Sequence, residues 1–478
     1  TTIGTPLKID SYHPEYGLNV LLWELCRDCY LGEHQVKHKA DTYLPRLSSQ
    51  NDEGYKSYLK RTVYYPILSN TISGRLGQIM RKSPILKGSS RGQGWMTEKV
   101  TKDHKDIGAF VGKVLEELMK VGRVGILADF DEKSQNPYFS IYNAESIINW
   151  LEDDGILSEV HLVEESYVLD SVQEVKPERR VRRCYIDDEG FYSVDVYRVP
   201  VIGGTSKVEL MATYRPLQFG NALREIPFVF VNPNSLLSDI EKPPLLDIAL
   251  MSLAVYRNSA DLEQILHTLA MPTPYGTGME EEDLEGQFVI GPSEFKLIRS
   301  PEAKLGMLEF NGQGIDAVME SMSNKFAHIA SIGGDASFTS NRAAENAETF
   351  RLRMSKETSA MSNIVLYAEK GINKLLGFAS GWISPSEEMK ININRDFLDA
   401  QMSADLLKTI NESVVMGLIS RKAAFEIRQK NEIYPDNWSF EQEEALLDQD
   451  ELPDNITTSM AGVVNMAKNP SKEVDETG

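Results

Sequence analysis

The stretch LLDIALMSLAVYRNSADLEQILHTLA, residues 245–270, decides how the rest of the chain is read. It opens behind Pro243 and Pro244, which suit a helix start because the missing N–H is an orphan donor there, and it stops before Met271-Pro272-Thr273-Pro274. Leu246, Leu250, Leu253, Leu262, Leu266 and Leu269 mostly keep a three-or-four spacing, so the expectation is one packed stripe with Arg257, Asp261 and Glu263 left in water. Such a helix spans about 39 Å. Residues 314–332 resume the helical period with Ile315, Val318, Met322, Phe326 and Ile329, and Gly333-Gly334 ends it as left-handed glycine does at a C-terminus. Between the two helices, Phe288, Ile290, Leu297 and Phe310 sit in short apolar runs separated by Gly and Pro turns. These runs read as short strands, and strands isolated in one copy would leave edges for neighbouring copies to close. A decapeptide, residues 333–342, then leads into residues 343–380, which contain no proline and accommodate a helix of about 57 Å. Along it Phe350, Met354, Met361, Ile364, Val365, Ala368 and Ile372 recur at helical spacing, which marks a core or interface face rather than a cofactor box.

Two helices flanking an excursion, then a glycine-rich loop, then a very long helix: this order resembles the portal proteins of tailed bacteriophages. A second likeness to portal-like proteins lies in Tyr43-Leu44-Pro45, the tyrosine-rich basic run 55–62 and the segment 70–79 leading to Lys82-Ser83-Pro84. A third lies in Met416-Gly417-Leu418-Ile419-Ser420-Arg421 through Tyr434-Pro435, similar to a portal crown. The resemblance implies an α+β fold with a wing (1–244), two stem helices (245–270 and 313–332), a small β-rich clip (271–312), a tunnel loop (333–342), a long wing helix with its following strand (343–400), a helical crown (401–440) and an acidic tail (441–478). It implies that Gly333, Gly334, Asp335, Ser337, Phe338 and Thr339 line a DNA channel, that Leu253, Leu262, Leu266 and Phe326 pack the stem, and that Phe288, Ile290, Leu297 and Phe310 build the clip. The implied assembly is a ring of twelve copies at one capsid vertex of a virion, put together in the host cytoplasm. Its implied partners are double-stranded DNA, the terminase motor, the major capsid protein, and tail or adaptor proteins.

Composition sets independent bounds. The chain has 478 residues, 41% hydrophobic and 25% charged, enough for two or more packed regions. The apolar run 18–25 is broken by Asn19 and Glu24, too short and too polar for a signal peptide or a membrane span, so a soluble, intracellular protein without membrane insertion is expected. Three cysteines are too few for a disulfide scaffold. A net charge of −21 argues against tight general DNA binding, which draws on Lys and Arg releasing counterions; a channel that lets DNA slide needs only weak contact. Contacts between copies of so acidic a chain should depend on salt.

Motifs for chemistry are scarce. Residues 18–38 read as one helix carrying Cys26, Cys29, His34 and His38, residue types that suit zinc. Their spacing does not: a zinc finger places about twelve residues between the pairs so that the chain turns back, and here only four intervene. Gly122-Arg123-Val124-Gly125 follows a helix and precedes a strand, the reverse of a dinucleotide fingerprint, and reads as punctuation. Residues 140–231 alternate in strand fashion between Asp-Gly and Gly-Gly turns, a meander signal. Lys176, Arg179, Arg180, Arg182 and Arg183 form a dense positive cluster, read as a solvated hairpin edge or as a site for an anionic partner. No nucleophile elbow, phosphate loop or metalloprotease pattern occurs, so neither catalysis nor a cofactor is expected. Two other readings stay open: a different virion structural protein, such as an adaptor or scaffold, and an acidic metal-binding enzyme built on the two cysteines and two histidines.

Overall fold

The computed structural model describes residues 7–48, 50–131, 134–169, 173–200, 208–269, 273–278, 302, 304–308, 313–333, 347–383, 388–395, 397, 404–430, 433–434 and 438–447. Contacts divide the chain into two units, Thr1–Arg395 and Asp396–Gly478. In the first, the N-terminal helices α1 (Pro14–Leu31), α2 (Glu33–His38), α3 (Asp52–Arg61) and α4 (Ile67–Ile79) lead through β1 (Ile85–Lys87) and α5 (Ser90–Glu98) to α6 (Ile107–Val121). Then come β2 (Val124–Asp131), β3 (Asn136–Asn143), β4 (Ile147–Asp153), β5 (Ile156–Leu169), β6 (Val175–Ile186), β7 (Tyr192–Val199), β8 (Glu209–Tyr214), β9 (Leu217–Gln218), β10 (Asn221–Ala222) and β11 (Phe228–Val231). The unit ends with α7 (Leu246–Leu269), β12 (Thr273–Thr277), β13 (Lys304–Leu308), α8 (Gln313–Ser331), α9 (Ala347–Ile383) and β14 (Lys390–Asn392). Helix and sheet are mixed, as an α+β fold requires.

The centre of this unit is α6 against the three-stranded sheet β11-β2-β3, with α9 also on that sheet. Helix α6 starts at Asp106, whose carboxylate accepts from Ala109 N at 2.7 Å, and ends at Gly122 with φ 72 and ψ 13, a left-handed cap. Phe110, Val111, Val114, Leu115 and Leu118 are fully buried from it, and Ile126, Leu127 and Ala128 from β2. Where α9 crosses β11, Gly371 makes room: a Cβ there would stand 2.6 Å from Val231 Cγ2. Asn373 clamps β14 to the same helix, donating to Ile391 O at 3.0 Å and accepting from Ile391 N at 2.8 Å.

The meander expected in residues 140–231 is a five-stranded antiparallel sheet in the order β4-β5-β6-β7-β8. Its first hairpin turns on Asp154 and Gly155, both left-handed with φ 50 and 77, the geometry that matches strand twist in a two-residue loop. The positive cluster of residues 176–183 belongs to β6, which lies in the middle of the sheet and is no edge. Arg182 pairs with Asp129 at 2.6 Å and Glu164 at 2.9 Å, and Arg183 with Glu159 at 2.8 Å and Asp195 at 3.2 Å. Arg180 is paired with Glu178, so most of the cluster is neutralised by acids on its own and neighbouring strands.

The single helix expected over residues 18–38 is two helices. Gly32, at φ 87 and ψ −156, breaks it, and the first begins earlier, at Pro14 behind His13. In the second unit, α10 (Ala404–Val415) and α11 (Arg421–Lys430) flank Gly417 at φ 73, and α12 (Phe440–Leu447) follows. Phe425 of α11 stacks on Tyr434 at 4.7 Å and meets Phe440 edge-on at 5.7 Å. The start of the acidic tail is thus helical, for a local reason. Ser439 Oγ accepts from Gln442 N at 3.2 Å while Gln442 Oε1 accepts from Ser439 N at 3.0 Å, a reciprocal capping box. The rest of the tail, 448–478, lies outside the described residues.

Candidate functional site

Helices α7 and α8 pack on each other, and the chain between them leaves by β12 and returns by β13, paired antiparallel from Thr273↔Leu308 to Thr277↔Lys304. Asn258 of α7 donates to Ser321 Oγ of α8 at 2.9 Å. Beside this bond runs an open groove of about 430 Å3 lined by Met251, Glu320, Asn324, Lys325 and His328. Burial, then the nearby Arg257, lower the Lys325 pKa, so that ammonium sits in a site that resists charge.

Helix α7 is gripped from Ala249 to Gln264 by the N-terminal segments. Cys29 Sγ lies 3.7 Å from Ala249 O, Val63 N donates to Ser259 Oγ at 3.1 Å, Tyr58 OH to Asp261 at 3.1 Å and Arg61 to Gln264 at 2.7 Å. Arg257 is exposed, as expected, and also donates to Tyr43 O at 3.0 Å. The leucine stripe packs only in part: Leu246 and Leu253 are buried, while small and mixed residues make up the rest of the packed face. Ala249, Ser252, Val255, Tyr256, Ser259 and Ala260 are buried, whereas Leu250 is 45% exposed. Small residues let the helices come close, and the buried hydroxyl of Ser252 is satisfied by Ile248 O at 2.8 Å. Of the four residues assigned to stem packing, Leu253 is buried, Leu262 is half-buried, Leu266 is 43% exposed, and Phe326 meets the Tyr65 ring at 5.4 Å.

The approach to α7 is held by a buried cation. Arg123, at the start of β2, donates to Ser238 O at 2.6 Å and Asp239 O at 3.0 Å, with its guanidinium over the rings of Trp150 and Phe230. Burial lowers its pKa to about 10. Gly122 beside it lies against Pro243 and Pro244, where a Cβ would come within 3.1 Å of both. The sequence Gly122-Arg123-Val124-Gly125 therefore fastens the segment leading to α7; its composition resembles a phosphate loop, and burial of its one polar side chain against backbone carbonyls gives it another role.

At the far end of α8, Gly333 is buried at φ 88 and its carbonyl accepts from Arg75 of α4 at 2.7 Å. Gly334, Asp335, Ser337, Phe338 and Thr339, expected to line a channel, lie outside the described residues, as do Phe288, Ile290, Leu297 and Phe310 of the expected clip. The chain re-enters as α9, whose Met361, Ile364, Val365, Ala368, Ile372 and Leu375 are buried.

Cys26, Cys29, His34 and His38 do not converge. Both thiols are buried in α1, and burial pushes each up to about 12, while the two histidines are exposed on α2. Among the described residues no group of three or more His, Cys, Asp and Glu stands where it would hold a metal ion, and no helix is long and apolar enough to cross a membrane.

The family described as "Domain of unknown function (DUF4055)" matches residues 244–383, the span from Pro244 before α7 to the last residue of α9. No curated protein matches the chain. Among solved structures, a chain in the neck of an empty gene transfer agent (GTA) particle computed with C6 symmetry is 11% identical, with 81% of this chain and 95% of that chain covered at a TM-score of 0.37. A chain in the virion of the native GTA particle is 11% identical over 81% and 96% at 0.36. One in the neck of the native particle computed with C12 symmetry is 11% identical over 78% and 92% at 0.34.

Proposed function

We propose that this chain is a portal protein: a structural, non-catalytic subunit that closes into a ring, of twelve copies by the family's pattern, at one vertex of a phage-like capsid. In this reading α7 and α8 form the wall of a channel for double-stranded DNA, β12 and β13 open into a clip that meets the terminase and later a tail or adaptor protein, and residues 333–342 touch the DNA. The major capsid protein surrounds the ring in the virion.

The observation that carries the reading is the helix–ribbon–helix excursion of α7, β12, β13 and α8 followed by the 37-residue α9. Helix α7 is gripped by α1, α3 and α4 and packs on α8, while Leu250, Leu266 and Met319 stay exposed, and these are side chains that a neighbouring copy would cover in a ring. The channel needs no tight grip, and the acidic balance of −21 suits a wall that DNA slides past. Negative-stain images and native mass spectra of the purified full chain, taken across salt and magnesium conditions, test it. The expected result is a closed ring with a central hole; a purely monomeric chain under all conditions refutes it.

A further inference from the structure

The ribbon of β1 and β14 pairs Lys87 directly opposite Lys390. Ile391 is buried on one face, so alternation puts Ile85, Lys87, Lys390 and Asn392 together on the other, where all four are exposed and Ile85 is 58% so. Like charges placed opposite one another weaken an antiparallel pair. Arg91, exposed in the first turn of α5, adds a third cation to this part of the fold. Lys390 has one carboxylate, Glu388 at 2.7 Å, and neither Lys87 nor Arg91 makes an ion pair among the described residues. In a chain of net charge −21 the ribbon is a positive surface with one exposed apolar residue, Ile85, at its end.

Its counterpart in sign and shape is the tip of the β4–β5 hairpin. Glu152, Asp153 and Asp154 are exposed there without an ion pair among the described residues, flanked by Leu151 at 38% and Ile156 at 65% exposure. The left-handed pair Asp154 and Gly155 makes this tip a tight two-residue turn, with Asp153 opposite Ile156 on one face and Glu152 on the other. We propose that the acidic hairpin tip of one copy docks on the lysine ribbon of the next, with Leu151 and Ile156 against Ile85. Such a contact joins two different patches, the heterologous kind that builds a ring when the rotation between copies closes. The inference rests on the ring reading and adds which surfaces meet. A second copy fits better than DNA as the occupant, because the opposing patch carries both the charge and the apolar flanks that the ribbon lacks, whereas a phosphate backbone offers nothing to Ile85.

Charge reversal tests it in the full chain. Lys87→Glu with Lys390→Glu is one variant, Glu152→Lys with Asp153→Lys a second, and all four together a third; Asp154 is left alone because its backbone is left-handed. Circular dichroism first establishes that each folds like the parent. In sedimentation velocity at about 0.15 M salt, each double variant should associate at least about tenfold more weakly than the parent, and the quadruple variant should recover most of that loss. Double variants that assemble like the parent overturn the pairing, as does a quadruple variant that fails to recover. Intact assembly with lost retention of duplex DNA by the Lys87→Glu, Lys390→Glu variant overturns it too, in favour of a DNA surface. A parent that never assembles refutes the ring reading itself, a result distinct from any of these.

Discussion

Leu253 and Leu266 lie on the same helix and belong to the same leucine repeat, yet the structure gives them opposite roles. Leu253 is 1% exposed within one copy and Leu266 is 43% exposed. Leu253→Ala therefore removes packing that a single subunit already has, and a fully buried leucine cut to alanine costs about 2–5 kcal/mol of subunit stability. Leu266→Ala removes little from one subunit. Full burial of a leucine side chain is worth about 1.5–3 kcal/mol, so the exposed share leaves about 1 kcal/mol for a neighbouring copy to gain. That corresponds to an association constant lowered about fivefold at each contact. Urea denaturation of dissociated subunits measures the first quantity, and sedimentation velocity over a concentration series measures the second. The expected result is a double dissociation: Leu253→Ala shifts the urea midpoint, while Leu266→Ala leaves that midpoint in place and weakens assembly. Equal loss of subunit stability in both variants, with assembly unchanged in Leu266→Ala, would show that α7 buries its outer face within one copy and would refute the argument.

Gly371→Val should lower subunit stability by about 1–3 kcal/mol or more, because the added side chain meets Val231 of β11; a urea midpoint equal to the parent's would show that α9 can move away from the sheet. Burial opposes ionisation of Glu116, but hydrogen bonds from Lys120, Tyr30 and Lys113 outweigh it and hold the carboxyl at about 2. Since its folded pKa lies below the ordinary 4.5, the stabilisation is complete above that value and is lost as pH falls towards about 2; acid titration followed by circular dichroism should show a shallower loss of stability in Glu116→Gln over that window. Deleting residues 335–339 should leave the ring assembled and its melting temperature within a few degrees, yet reduce the DNA retained in assembled heads; heads that fill and hold DNA like the parent would remove the tunnel loop from this segment.

Much of the fold was legible because it is dictated locally. The repeat of α6 and its glycine stop needed nothing beyond the 3.6-residue period and the left-handed cap at Gly122. The meander showed in alternating strands punctuated by Asp154-Gly155 and by Asp187, whose carboxylate accepts from Glu189 N and Phe191 N to hold the next turn. The capping box of Ser439 with Gln442 is just as local a signal, and it starts a helix inside a segment whose acidic composition alone gives no sign of one. The buried face of α7 was legible only in part, through Leu246 and Leu253. A stripe of leucines outweighs Ala249, Ser252 and Ser259 on any hydrophobicity scale, and only the arrival of α1, α3 and α4 on the other side makes the small residues the better interface. Of the expected clip only residues 273–278, 302 and 304–308, which include the ribbon of β12 and β13, are among the described residues, and of the channel loop only Gly333, so the roles of both segments stand as proposals.

Charge shows why a sequence cluster and a surface patch differ. Residues 176–183 look like the basic site of the chain because their cations are consecutive, but consecutive residues of a strand face alternate sides and meet whatever the neighbouring strands supply. Here the neighbouring strands supply Glu159, Glu164 and Asp195, and β2 of the other sheet supplies Asp129, so much of the cluster's charge is paired within the subunit. Lys87 and Lys390 are distant in the chain and inconspicuous in the sequence, and the fold sets them face to face. A cation beside carboxylates stabilises the subunit it belongs to; a cation held opposite another cation costs that subunit something and stabilises only a contact with an anionic neighbour. The place to look for a partner surface in this chain is therefore where the fold has left like charges together, not where the sequence is most basic.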